Sequence, residues 1–137
     1  MADGYALAMQ AALLAALKAD VDLTALVGAR VYGRNVPDTA VRPYVWINNI
    51  VVRDVRSDCG QAATVTFGVE SVSRSESAPD VEASRCAEAV NAALDKSPLS
   101  VSGFDLVQIH RITETSGDAS DGKSFEVVSA YSALLDG

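Results

Sequence analysis

"PYVWINNIVVRDVRSDCGQAATVTFGVESVSR", residues 43–74, decides the fold. In its second half Ala63, Val65, Phe67 and Val69 alternate with Thr64, Thr66, Gly68 and Glu70. A period of two puts one set on a buried face and the other on a polar face, which predicts a strand over 62–74. The first half is rich in Val, Ile, Tyr and Trp and predicts a strand over 43–55, with Pro43 at its first position, where a missing N–H does least harm. A polar connection, "RDVRSDCGQ" (53–61), joins the two into an antiparallel hairpin. Apolar residues of the first strand occupy both parities, Val45, Ile47 and Val51 on one face and Tyr44, Trp46, Ile50 and Val52 on the other. One face is expected to meet helices and the other to meet another chain, because a strand with one solvated face alternates more cleanly. Tyr44, Trp46, Ile50 and Val52, with Arg53, Asp54, Arg56 and Asp58 of the connection, are therefore candidate subunit-interface residues.

Upstream, residues 4–19 are strong helix formers uninterrupted by proline or β-branched residues, with Asp3 placed to cap the start. Ala6, Met9, Leu13, Ala16 and Leu17 share one face, widened by Leu7 and Leu14. Asp20 or Asp22 can cap a short second helix that points Leu23, Leu26 and Val27 inward and ends at Gly28. "RVY" (30–32) is a short strand, followed by a turn-rich loop up to Pro43. Downstream, "SESAPD" signals a third helix with Ser77 as N-cap, Asp80 three residues on and Pro79 in the first turn. Its stripe is Ala83, Cys86, Ala87, Val90 and Leu94, with Lys96 suited to its C-terminal end and Pro98 forbidding continuation. Strands over 104–115 and 124–135 form a second hairpin around the connection 117–123. In the last strand Phe125, Val127, Tyr131 and Ala133 share a face, and Val128, Ala130 and Leu134 take the other. The order α-α-β-β-β-α-β-β implies an α+β fold, an antiparallel-rich sheet of four to five strands with the helices on one face.

The 137 residues are expected to form a single domain, 1–137, large enough to bury a core unaided. The formal net charge is −7 and the basic residues are scattered, so tight binding to a phosphate backbone is not expected. No stretch approaches the ~20 apolar residues of a membrane span. The Ala/Leu-rich start lacks a basic n-region, which speaks against a signal peptide. Cys59 and Cys86 lack C-x-x-C spacing and imply no disulfide framework, in keeping with a reducing cytosolic folding environment.

No catalytic, cofactor or metal site is expected. His110, the only imidazole, lies in a strand with Glu114 and Asp105 as the available partners, and a general base needs both partner and pocket. Cys59 follows Asp58, which raises rather than lowers a thiol pKa, and Cys86 reads as a small core residue. Asp54, Asp58, Asp118 and Asp121 lie in two loops, but "DASDG" lacks the spacing of a calcium loop. Neither phosphate-binding glycine pattern occurs, and the few aromatic residues are not interleaved with basic ones.

"LAMQAALLAALKADVDLTALVGARVYGRNVPDTAVRPYVWI" resembles the start of the phage tail-completion proteins, or tail terminators, of long-tailed phages and phage-derived gene transfer agents. The similar elements are the Ala/Leu-rich first helix, then "AL-x-AD…L-x-ALVG-x-RVY", a proline loop, and "PYV" opening the main strand. "VTFGVESVSRSESAPDVEASRCAEAVNAAL" is similar to the family's central strand and following helix. The run Trp46-Ile47-Asn48-Asn49 departs from it, in a stretch where the family varies. The resemblance implies a non-enzymatic virion protein, assembled in the host bacterial cytoplasm and located at the head-proximal end of the tail. There a hexameric ring stops growth of the tube and joins it to the head. The implied partners are further copies of the chain, the tail tube protein and the head-tail connector, or stopper. DNA only passes through the lumen, without sequence-specific binding, and no membrane is involved. Another neck or tail-tube component, and a small cytosolic binding module, remain open as alternatives.

Overall fold

A computed structural model describes residues 4–33, 35–37, 39–57, 60–74, 77–95, 99–120 and 122–137. The expected Asp3 cap, Asp58, Cys59, Lys96, Pro98 and Asp121 lie outside these residues. Helix α1 (Tyr5–Ala19) and the short α2 (Val21–Val27) precede β1 (Val31–Tyr32), β2 (Tyr44–Ser57) and β3 (Gly60–Ser73). Helix α3 (Pro79–Leu94), β4 (Asp105–Asp118) and β5 (Phe125–Asp136) complete the chain. The order is the expected one. The five-stranded sheet runs β1-β2-β3-β5-β4. It is mixed, because β1 joins β2 in parallel while every other pairing is antiparallel.

Local chemistry explains most element boundaries. The Asp20 carboxylate accepts the Leu23 N–H at 2.9 Å and starts α2, and Gly28, at φ +60°, ends it where a side chain would be strained. Helix α3 departs from the expected cap. Ala78 is the N-cap, without a side-chain cap bond, and Pro79 opens the first turn. A proline presets φ in the first turn, where no N–H partner is needed.

All three helices lie on one face of the sheet. Met9, Leu13 and Leu17 of α1, Leu23 and Val27 of α2 and the whole expected stripe of α3 are buried there. They meet Val45, Ile47, Val65, Phe67, Val69, Tyr131, Ala133 and Leu135 from the strands, except that Ala83 and Ala87 of α3 pack with Val127 and Phe125 of β5. The Phe67 and Tyr131 rings stack at 5.5 Å between centroids, and the Tyr131 hydroxyl donates to Asn91 Oδ1 of α3 at 3.1 Å. The face of α1 is narrower than expected. Ala8 and Ala12 are buried, whereas Leu7 is 61% exposed.

Two expectations about β2 are corrected. The polar stretch 53–61 is no long loop, since β2 runs to Ser57, β3 starts at Gly60, and Arg53 to Ser57 pair with residues 60–64. Backbone pairing extends the strands through a sequence whose side chains do not announce them. A β-bulge between Asn48 and Val51 also shifts the register, with Asn49 at φ +49°. An extra residue reverses the parity beyond it. Ile50 and Val52 thus pack against the core, and Val51 is exposed. The faces expected for these three residues are interchanged.

Candidate functional site

The face of the sheet opposite the helices carries no covering element among the described residues. Register places Trp46, Asn48, Val51 and Arg53 of β2 there, across from Glu70, Gly68, Thr66 and Thr64 of β3. Val128, Ala130, Ser132 and Leu134 of β5 continue it, and Gln108, His110, Thr113 and Thr115 of β4 finish it. Apart from Arg53, Glu70, Glu126, His110, the carboxamides of Asn48 and Gln108 and the Trp46 ring, it is a surface of hydroxyls, small residues and scattered aliphatics.

Its most structured corner surrounds Trp46. Tyr44 meets Tyr32 edge-on at 5.8 Å, and the Arg42 guanidinium lies 5.5 Å from the Tyr44 ring centroid. The Arg30 Nε–H donates to the Pro43 carbonyl at 2.9 Å, fixing the entry to β2. A concavity of about 440 Å³ opens beside these rings, its walls including Arg42, Trp46, Glu70 and Glu126. Burial pushes the Glu70 carboxyl up from its ordinary value and the charge of Glu126 adds to this; hydrogen bonds with Asn48 and Trp46 pull it back. Opposite Asn48 stands Gly68, where an added Cβ would run into the Asn48 carboxamide. Only the backbone of β3 fits beneath that side chain.

The chemistry weighed from sequence is not assembled into a reaction centre. His110 is exposed on the bare face opposite Ser132, while Glu114 is placed opposite Ser129 on the helix side and lies 3.6 Å from Arg111. The Cys86 thiol is buried in the core and pushed up to about 11, chiefly by that burial. Among the described residues no group of three or more His, Cys, Asp and Glu gathers as a metal site. No described helix is long and apolar enough to cross a membrane.

The expected interface residues scatter over three places. Tyr44 and Trp46 are half-buried on the bare face, Ile50 and Val52 belong to the core side, and Arg53 and Asp54 are exposed on the hairpin beyond the bulge. Arg56 holds a register position opposite Gln61. Sequence reasoning missed the approach of Glu126 to Glu70. Glu70 was legible as a polar-face residue of β3, but its neighbour comes from β5 through a register that no local pattern discloses.

A second solved structure superposes with a TM-score of 0.52 at 18% identity, covering 93% of this chain and 95% of that one, a likeness of fold. A chain of the "Virion of native gene transfer agent (GTA) particle" superposes with a TM-score of 0.87 at 27% identity, covering 98% of this chain and all of that one. No curated protein matches the sequence. The family model described as tail completion protein gp17 matches residues 11–136, from the middle of α1 to the last residue of β5. The chain therefore belongs to the tail completion protein gp17 family.

Proposed function

We propose that this structural tail protein is a tail terminator. Six copies close into a ring on the head-proximal end of the tail tube, block further addition of tube subunits and present a surface to the head-tail connector. One observation carries the reading: the end-to-end superposition on a chain of the gene transfer agent virion. Three features of the chain support it. Among the described residues no helix covers the face of the sheet opposite α1, α2 and α3, and its strands offer an interface without any change of fold. Of the expected interface residues on β2, Tyr44, Trp46 and Arg53 hold positions on that face, whereas Ile50, Val52, Asp54 and Arg56 hold positions on the helix side. The net charge of −7 suits a conduit that DNA crosses without adhering. The role is mechanical and has no catalytic step.

The test is an in-frame deletion followed by electron microscopy of the particles. Filled heads together with overlong or unjoined tails are expected, reversed when the gene is supplied in trans. Tails of normal length joined to heads would overturn the reading, and joined tails lacking only tip structures would favour a minor tail subunit.

A further inference from the structure

The sheet ends in two open edges, and the two match. Strand β1 pairs with β2 only at Val45 and Trp46, so among the described residues β2 is paired from Val51 to Ser57 on one side alone, with β3. At the opposite edge β4 pairs, among the described residues, only with β5. Each open edge presents a row of backbone donors and acceptors that could take another strand. Aliphatic side chains stand out at both: Val51 and Val55 at one, Ile112 at the other. The charges are complementary. Residues 51–57 carry Arg53 and Arg56 against Asp54, whereas 113–118 carry Glu114 and Asp118 and no base.

Resting on the ring reading above, we infer that these edges pair between neighbouring copies: residues 52–57 of β2 form an antiparallel ladder with residues 113–118 of β4 in the next copy. Strands β2, β3, β5 and β4 alternate in direction, so β4 runs opposite to β2. Rotation about an axis along the strands keeps that relation from copy to copy and makes the new pairing antiparallel, the more stable kind.

Continuity of the two faces restricts the register. Glu114 and Asp118 hold helix-side positions, opposite Ser129 and Phe125. Arg56 also holds one, two residues beyond Asp54, which lies opposite buried Ala63. The register that sets Arg56 against Glu114 sets Val55 against Thr115, both on the bare face.

Bulges commonly protect an edge from pairing, and β4 has two, between Leu106 and Gln108 and between Arg111 and Thr113. Both precede the proposed ladder, and the bulge of β2 ends before it begins. The two segments are the regular parts of their edges. Because one patch meets a different patch, the contact is heterologous: it excludes a two-fold dimer and makes a ring where the rotation between copies closes.

The test joins cysteine cross-linking to charge reversal in the full chain, with Cys59→Ser as background. Val55→Cys with Thr115→Cys, treated with a short bis-maleimide, is expected to give a covalent ladder ending at six subunits, and neither single variant should give one. Glu114→Lys should abolish rings in light scattering while circular dichroism still reports a folded chain; adding Arg56→Glu should restore them. Six-subunit rings that form no ladder and ignore the charge reversal would overturn the pairing and leave the ring standing. A wild-type chain that stays monomeric both alone and on tail tubes would overturn both.

Discussion

Glu70 is the residue at which the bare face works against the fold. It is half-buried among Asn48 and Trp46, its carboxyl is pushed up by burial and by Glu126, and two hydrogen bonds return only part of that cost. A carboxyl whose folded pKa lies above its unfolded one favours the protonated state. Its contribution is fully present below the ordinary carboxylate range and is lost as pH rises through the raised value. Glu70→Gln keeps one acceptor oxygen and removes the charge. Its melting temperature should match wild type near pH 4 and exceed it at pH 7, by a modest margin because half the group faces water. Parallel melts across that range check this; a variant less stable than wild type at pH 7 would mean that ionised Glu70 is satisfied by its two donors. The alternation of β3 exposes Glu70 to a reader of the sequence. The strain on it is not legible, because it depends on the register between β3 and β5.

At the level of elements, hydrophobic period and breakers located every helix and strand in order, since each buries its apolar stripe against the same layer. What stayed hidden follows from pairing rather than from side chains. The ends of the first hairpin are polar, and backbone hydrogen bonds to the opposite strand hold them in the sheet. The bulge at Asn48–Val51 has no compositional mark beyond an Asn pair, one of the few residue types that tolerate positive φ. It nevertheless decides which residues of β2 face the helices and which the bare side of the sheet. Ile50→Glu should place a carboxylate against the core and cost about 2 kcal/mol or more. Val51→Glu, one residue on and exposed, should stay within about 0.5 kcal/mol of wild type. Urea denaturation of the two variants distinguishes them, and the reverse order of stabilities would restore an unbroken alternation through the strand. The candidate interface divides along the same line. Tyr44 and Trp46 precede the bulge and keep their expected face, while Ile50 and Val52 follow it and exchange theirs.

For the molecule as a whole, one layer of helices on one layer of strands makes stability uneven across the sheet. Strands β3 and β5 are paired on both sides along their length, and α3 packs on both of them from above. Opening either breaks two ladders and uncovers the core. The outer strands lose less. Strand β4 has one partner and two bulges, and beyond its own bulge β2 has β3 alone. Amide exchange in such a fold proceeds from the edges inward, because local opening needs less free energy where fewer bonds and contacts break. Hydrogen exchange followed by mass spectrometry on the isolated chain should find residues 62–72 and 127–135 slowest, with 105–118 and 51–57 exchanging well before them. Equal rates in β3 and β4 would mean that the sheet opens as one unit. On assembled particles the two edge segments should slow together if they cover one another, and only one of them should slow if the tube or the connector covers it instead. The same uneven stability that leaves the edges open to exchange in the free chain keeps them available for assembly, while the core beneath β3 and β5 holds the subunit in shape.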